Sequence, residues 1–273
     1  MAGDCILIEL EHPDCILIDC GYKTTYNTEL RPLLLRLSAE GYRISLMIIS
    51  HIDRDHIEGA VHFLRENGDA EIPAIIPVDE IWINGFFNTL FPRLEFKHRE
   101  IDELSLEEGK MLSDKLKSLK MSFPDEGYIS ATQCKALERL CVQNGYRVNC
   151  SCPDRIVKRS AMRYSEVATN RISIAGCQIA ILNPGEPQLE ALSRELDREM
   201  IRWFGRDYKI QQSDEFTQLF ELLMELYEEP TSSEPIMAMS ANLKSWLGTS
   251  LLAPMNAVNR SSIVVEIIYH GRN

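Results

Sequence analysis

The apolar run Ile44-Ser45-Leu46-Met47-Ile48-Ile49 passes directly into Ser50-His51-Ile52-Asp53-Arg54-Asp55-His56-Ile57-Glu58-Gly59, and that into Ala60-Val61-His62-Phe63-Leu64-Arg65. The first run reads as a buried strand and the last as a helix. His51, Asp53, Asp55 and His56 therefore fall on the turn between a strand end and a helix start. In an open α/β sheet, sites gather beyond the carboxyl ends of the strands. Two imidazoles with two carboxylates suit Zn, Mn or Fe better than Ca or Mg alone. In an extended turn the alternate residues His51, Asp53 and Asp55 point one way, and His56 swings in as the backbone tightens. The same residue types also fit a plainer role, an acidic turn capping the next helix with Asp55 near its positive end.

The rest of the chain reads as α/β. Cys5 to Leu10 and Cys15 to Cys20 form two strands about the turn His12-Pro13-Asp14. Their shared Cys-Ile-Leu-Ile reflects two buried strands and not a repeat, and His12 is a turn residue. Gly21 to Thr28 reads as a polar loop. Glu29 to Glu40 carries Leu30, Leu33, Leu34 and Leu37 at helical spacing, with Gly41 as its stop. His62 lies within the helix after the turn. Ile72 to Pro77 and Glu80 to Asn84 read as short strands, and Phe86 to Phe96 as an aromatic, irregular stretch. Residues 105–120 and 130–146 read as helices, the second opening on Ser130-Ala131-Thr132-Gln133 and burying Cys134, Leu137, Leu140 and Cys141. Arg171 to Ala175 and Gln178 to Leu182 form a hairpin about Gly176, closed by Asn183-Pro184-Gly185. Amphipathic helices are expected over Gln188 to Phe204 and Asp214 to Glu228, a linker over Thr231 to Glu234, and a last strand over Ser262 to Tyr269.

Composition narrows the function classes. A formal charge of −12 argues against a broad cationic nucleic-acid surface, although bound cations can supply positive charge locally. The eight cysteines include no C-x-x-C pair. Cys5, Cys15, Cys20 and Cys177 lie in apolar runs, as small hydrophobes. The only close pair, Cys150-Ser151-Cys152, has no second pair to complete a zinc site. The start, Met-Ala-Gly-Asp-Cys, has no basic leader, and no apolar run approaches the roughly 18 residues of a membrane span, so the expectation is a cytoplasmic protein without membrane contact.

The stretch Ser50 to Gly59 also resembles the H-x-H-x-D-H signature of metallo-β-lactamase-fold hydrolases. It is closest to the variant with Asp at the second ligand, as in the hydrolase domain of ComEC-type competence proteins. Ile16-Leu17-Ile18-Asp19-Cys20-Gly21 resembles that family's strand ending in Asp-x-Gly. Asn259-Arg260-Ser261-Ser262-Ile263-Val264-Val265-Glu266 resembles the Asn-x-Ser-Ser strand that opens its second half. The resemblance implies an αββα sandwich over 1–273, incomplete at the C-terminus. Its parts are an N-terminal αβ half (1–100), a helical insertion (101–170), and a segment of hairpin, helices and first strand of the second half (171–273).

The resemblance further implies His51, Asp53, Asp55 and His56 as metal ligands, His51 and Asp53 serving one ion and Asp55 and His56 another. Asp55 would also orient the attacking water, and Asp19 would brace the loop without ligating. The cofactor implied is a divalent metal, Zn first, then Mn or Fe. The reaction is attack of metal-activated water on a phosphodiester or other ester-like bond, the substrate a phosphoester or another small ester, with nucleic acid also admitted. In the family, later residues supply a bridging Asp and further His ligands. After the motif region only His98 and His270 remain, and four residues follow Tyr269. The expectation is therefore a truncated chain, a second chain completing the site, or a non-catalytic domain that binds a partner protein.

Overall fold

A computed structural model describes residues 3–85, 89, 128–161, 163, 166, 170–204 and 257–270. The aromatic side chains Phe86, Phe87, Phe91 and Phe96, His98, the helices expected over 105–120 and 214–228, and the linker at 231–234 lie outside the described residues.

Strands β1 (Ile6–Glu9), β2 (Asp14–Ile18), β3 (Arg43–Ile48) and β4 (Ile81–Trp82) form one sheet in that order. β1 runs antiparallel to β2, and β2, β3 and β4 are mutually parallel. A second, antiparallel sheet has the order β5 (Ile172–Ile174), β6 (Cys177–Asn183) and β7 (Val264–Tyr269). The hairpin about Gly176 and the final strand form as the sequence leads one to expect.

Two apolar cores account for the layering. Ile16, Leu46, Ile48 and Trp82 of the first sheet pack against Cys177, Ile179, Ile181 and Ile263 of the second region. On the other face of the first sheet, Cys15, Leu17, Ile44 and Met47 meet helices. These are α2 (Arg31–Ala39), α3 (Arg54–Asn67) and α4 (Tyr128–Gln143), with Leu192 and Leu196 of α5 (Glu186–Phe204) joining the same core. Covered on both faces, β2 and β3 read as near-continuous apolar runs. Ser45 interrupts β3 at a register shift between Cys15 and Ile16, and its hydroxyl donates to Asp14 Oδ1 at 2.6 Å. Helices, sheet and second sheet make a mixed α/β layering consistent with a metallo-β-lactamase-like fold.

Four local expectations are corrected. The loop at 21–28 is helical from Lys23, through α1 (Lys23–Thr25) and a π-helical turn (Tyr26–Leu30) that continues into α2. Buried Tyr26 and Leu30 extend the apolar stripe towards the N-terminus, and Glu58 Oε2 accepts from the Lys23 backbone N–H at 3.1 Å. Ile72 to Pro77 is not a strand. Its backbone is held instead by buried Asn67, whose Oδ1 accepts from the N–H groups of Ile75 (3.0 Å) and Ile76 (2.9 Å). The Asn67 amide in turn donates to the Ile76 carbonyl at 3.0 Å. Ser130 lies inside α4 and is not its cap. Finally, α3 starts at Arg54, within the ligand-rich stretch and not after it.

Gly59 explains how α3 comes so close to the end of β2. Its N–H donates to the Gly21 carbonyl at 2.8 Å, and a Cβ there would stand 2.2 Å from the Cys20 carbonyl oxygen. That neighbour is backbone and cannot swing aside. Gly59→Ala is therefore expected to push α3 off the first sheet and cost about 1–3 kcal/mol, the usual penalty of overpacking. Urea denaturation checks this through a lower midpoint, and an unchanged midpoint would mean that the helix relaxes freely.

Candidate metal centre

The site grows out of three backbone ends. β2 stops at Ile18 and β3 at Ile48, and the Asp19 N–H donates to the Ile48 carbonyl at 2.8 Å. The Cys20 N–H donates to the His56 carbonyl at 3.2 Å, which ties the same corner to the first turn of α3. From behind, the Ile263 N–H donates to the Ser50 carbonyl at 2.7 Å and joins the Asn259–Ile263 segment to the loop. Asp53 is the N-cap residue of α3, with extended backbone and no capping hydrogen bond from its side chain. The uniformly extended turn expected from the sequence is thus replaced. His51 and Asp53 precede the helix, whereas Asp55 and His56 lie in its first turn.

Asp19 is the hub of the side chains. It is 4% exposed and holds φ 56°, in the left-handed region that Asp tolerates better than most residues. Its Oδ1 accepts from the Ser50 N–H at 2.8 Å. Its Oδ2 accepts from the Ser50 hydroxyl at 2.6 Å and lies 2.8 Å from His56 Nδ1. With Asp19 taken as the carboxylate, proton counting assigns both imidazoles. An ionised carboxylate only accepts, so His56 must carry its proton on Nδ1. Ser50 has one hydroxyl proton and gives it to Asp19, so its contact with His51 Nδ1 at 2.9 Å makes that nitrogen the donor too. In the neutral rings each Nε2 is left with its lone pair. Burial alone would push His56 below its ordinary pKa, but the hydrogen bond and charge of Asp19, with the charges of Asp55 and Asp4, outweigh it and hold the imidazole above that value.

Those free nitrogens face carboxylates. His51 Nε2 stands 3.6 Å from Asp53 Oδ2, and His56 Nε2 stands 3.6 Å from Asp55 Oδ2. The two rings lie against each other with centroids 3.9 Å apart. Two donors bound to one tetrahedral ion at ~2.0–2.2 Å are themselves roughly 3.3–3.6 Å apart. Each pair therefore fits the edge of such a coordination shell, and the donor chemistry suits a divalent metal. Among the described residues, no group of three or more His, Cys, Asp or Glu side chains is arranged to hold an ion. The four residues come together as two pairs, not as one cage.

The other candidates fall away. His62 lies in α3 and His12 in the turn before β2, its Nε2 3.1 Å from the Glu40 carbonyl oxygen. His270 pairs loosely with Glu11 at 3.8 Å. Cys150 donates to the Val148 carbonyl at 3.6 Å, and burial raises the Cys152 thiol to about 12, so neither behaves as a thiolate ligand. Two residues with clear local roles were not singled out from the sequence. Ser50 relays Asp19 to His51. Glu58 accepts from Arg54 and from the Lys23 backbone, which turns the motif's own cation towards it. The only sequence signal for Ser50 is a hydroxyl directly before the first histidine.

One comparison with known proteins gives a match. The family model of the metallo-beta-lactamase superfamily matches residues 1–130. That span contains Asp19, Ser50 and all four ligand candidates. It supports a metal-dependent hydrolase in general terms, of a superfamily that binds divalent metals, and it does not reach the level of the competence-protein branch. No curated protein and no solved structure matches the chain.

Asp19→Ala would leave three donors at the corner without their acceptor, at roughly 1–3 kcal/mol for each one kept from water. It should also free both rings to exchange tautomers. Long-range proton–nitrogen correlation spectra at pH 9 check this. Wild type should show His51 and His56 protonated on Nδ1, and the variant a mixture.

Proposed function

We propose that the chain is a metal-dependent hydrolase in which His51, Asp53, Asp55 and His56 hold a divalent ion or an ion pair. Zn is the first choice for two imidazoles with carboxylates, and Mn and Fe are the alternatives. The single observation that carries the reading is the orientation of the two imidazoles. Asp19 and Ser50 occupy both Nδ1 positions and leave both Nε2 lone pairs beside carboxylates. Such outer partners fix tautomer and ring direction at metal sites and raise the basicity of the ligand. A cap for α3 would need none of this.

A bound divalent ion lowers the pKa of its water towards neutrality and polarises the ester oxygen it faces. The protein's part is to position. His51 and His56, 12% and 11% exposed, are held from behind, whereas Asp55 is 44% exposed at the mouth. Asp55 is thus the carboxylate able to accept a proton from the attacking water and orient it. The substrate class we favour is a phosphodiester, with another small ester as the alternative. The net charge of −12 favours a small substrate over a long nucleic acid, whose binding rests on many cationic contacts.

A second reading follows from the pairing of donors. Two donors per ion fall short of the three that a catalytic site keeps from protein. A partner chain could supply the rest, or the domain could serve only to bind a partner. β7 is an edge of the second sheet among the described strands, with Val264 46% exposed, and it offers the pairing surface such a partner would use.

Metal analysis of the purified chain against an Asp55→Ala/His56→Ala variant separates the readings. Near-stoichiometric Zn, Mn or Fe in wild type, lost in the variant together with hydrolysis of bis(p-nitrophenyl) phosphate, is the expected result. Absence of metal from both after incubation with each ion would sink the hydrolase reading.

A further inference from the structure

The carboxyl ends of the first sheet hold more than the stretch from Ser50 to Gly59. The Ile49 N–H donates to the Trp82 carbonyl at 2.8 Å, so the end of β4 lies directly beside the strand that delivers Ser50. Buried Asn84, two residues beyond Trp82, turns its amide on another segment. Its Nδ2 donates to the Val157 carbonyl at 2.7 Å, and its Oδ1 accepts from the Val157 N–H at 3.1 Å. Asn149, also buried, adds a second stitch, donating to the Ile83 and Arg155 carbonyls at 2.8 and 3.0 Å. Residues 155–157 are thereby held at the rim one strand over from the candidate metal centre, where sites gather in a sheet of this kind.

The segment so placed is cationic. Arg155, Lys158, Arg159 and Arg163 fall within nine residues that contain no carboxylate, in a chain of net charge −12. The start of α5 is fastened to it through the Arg159 N–H, which donates to the Pro184 carbonyl at 2.8 Å. A cavity of about 350 Å³ is lined by both elements, within the roughly 300–1,000 Å³ of small-molecule sites. Ile156 and Leu189 give it apolar wall, and Thr89, Ser193, Lys158 and Arg194 give it donors.

We propose that this cavity binds a phosphate group through Lys158 and Arg194. Joined to the hydrolase reading above, on which this part rests, the group is a second phosphate that the phosphodiester substrate carries beyond the bond that is cleaved. Arg194 is exposed and enters no ion pair among the described residues, so its guanidinium is free to grip an oxyanion. Lys158 is held at 3.1 Å by Glu186, a carboxylate 68% exposed. A surface pair of this kind holds its partners weakly, so a phosphate of higher charge displaces Glu186 to solvent. Thr89 adds an unanswered polar atom, because its buried Oγ1 has no hydrogen-bond partner among the described residues. Buried polar atoms normally have one, and a ligand in the cavity that Thr89 lines brings an acceptor to it. The metal loop offers an anion no such hold, since Arg54, its own cation, is drawn to Glu58 at 2.8 Å. Glu190 opposes the proposal and so gives it a sign. It lines the cavity one turn before Arg194, and its charge weakens the binding that Arg194 strengthens.

Calorimetric titration of the full chain with inorganic phosphate and with pyrophosphate, in chelator and at fixed ionic strength, tests the site apart from any metal. Lys158→Gln and Arg194→Gln should each weaken binding about tenfold or more, the scale of one charge-assisted hydrogen bond. Glu190→Gln should tighten it. Melting temperatures equal to that of wild type establish that the variants are folded. A wild type that binds neither anion, or an affinity that the two cation variants leave unchanged, overturns the proposal. The metal-loaded chain is then compared on a thymidine dinucleotide with and without a terminal phosphate. Its preference in kcat/KM for the phosphorylated form should fall about tenfold in Arg194→Gln, on the same scale. A preference that survives the substitution overturns the substrate role of the cavity and leaves the hydrolase reading standing. Hydrolysis of neither compound counts against the hydrolase reading and takes the substrate role with it, while the phosphate titration still decides the site.

Discussion

The carboxylate of Asp19 is the interaction on which the site depends. A buried charge is costly unless it is fully hydrogen-bonded. Asp19 meets that demand with one backbone N–H, one hydroxyl and one imidazole, drawn from the end of β3 and the first turn of α3. Its backbone holds a positive φ, so β2 turns sharply and its side chain points back into the corner. A strand end, a loop and a helix start are thereby locked to one small group. Remove the acceptor and three donors lose their partner together, so the corner is cooperative in a way that separate contacts are not.

This dependence explains which features were legible in the sequence. The strands around residues 6–9, 14–18 and 43–48 follow from apolar runs that tertiary packing reinforces, and the ligand-rich stretch was visible as a cluster of residue types. The start of α3 was not, because Asp53, Arg54 and Asp55 carry no apolar period. What starts the helix there is docking, with Ile57, Ala60 and Val61 in the core and Gly59 against the Cys20 carbonyl. The segment 72–77 failed for the converse reason. Its apolar residues resemble a strand, but the side chain of Asn67 satisfies its backbone locally, and no pattern of hydrophobicity announces that a single amide 8 or 9 residues away will do so.

The structure sets His51 beside Asp53 and His56 beside Asp55, the same pairs into which the family resemblance divides the candidate ligands, and a helix start between Asp53 and Asp55 separates them.

The two sheets give this corner its asymmetry. Behind the loop, the inter-sheet core and the hydrogen bond from Ile263 to Ser50 leave the backbone little room. Asn183 adds to this, its amide donating to the Ser262 carbonyl at 2.6 Å and so fastening β6 to the segment that backs the loop. In front, the carboxylates of Asp4 and Asp55 reach towards solvent. Under the proposed function, the imidazole nitrogens would thus be placed by the fold before any ion arrives, while the carboxylates would keep their rotamer freedom until one does. Ordering a short Asp side chain costs much less entropy than ordering a loop. A metal centre built this way would be rigid at its imidazoles and adaptable at its mouth. The physical requirement is a fixed imidazole pair, and the whole path from Asp19 through Ser50 to the second sheet serves to fix it.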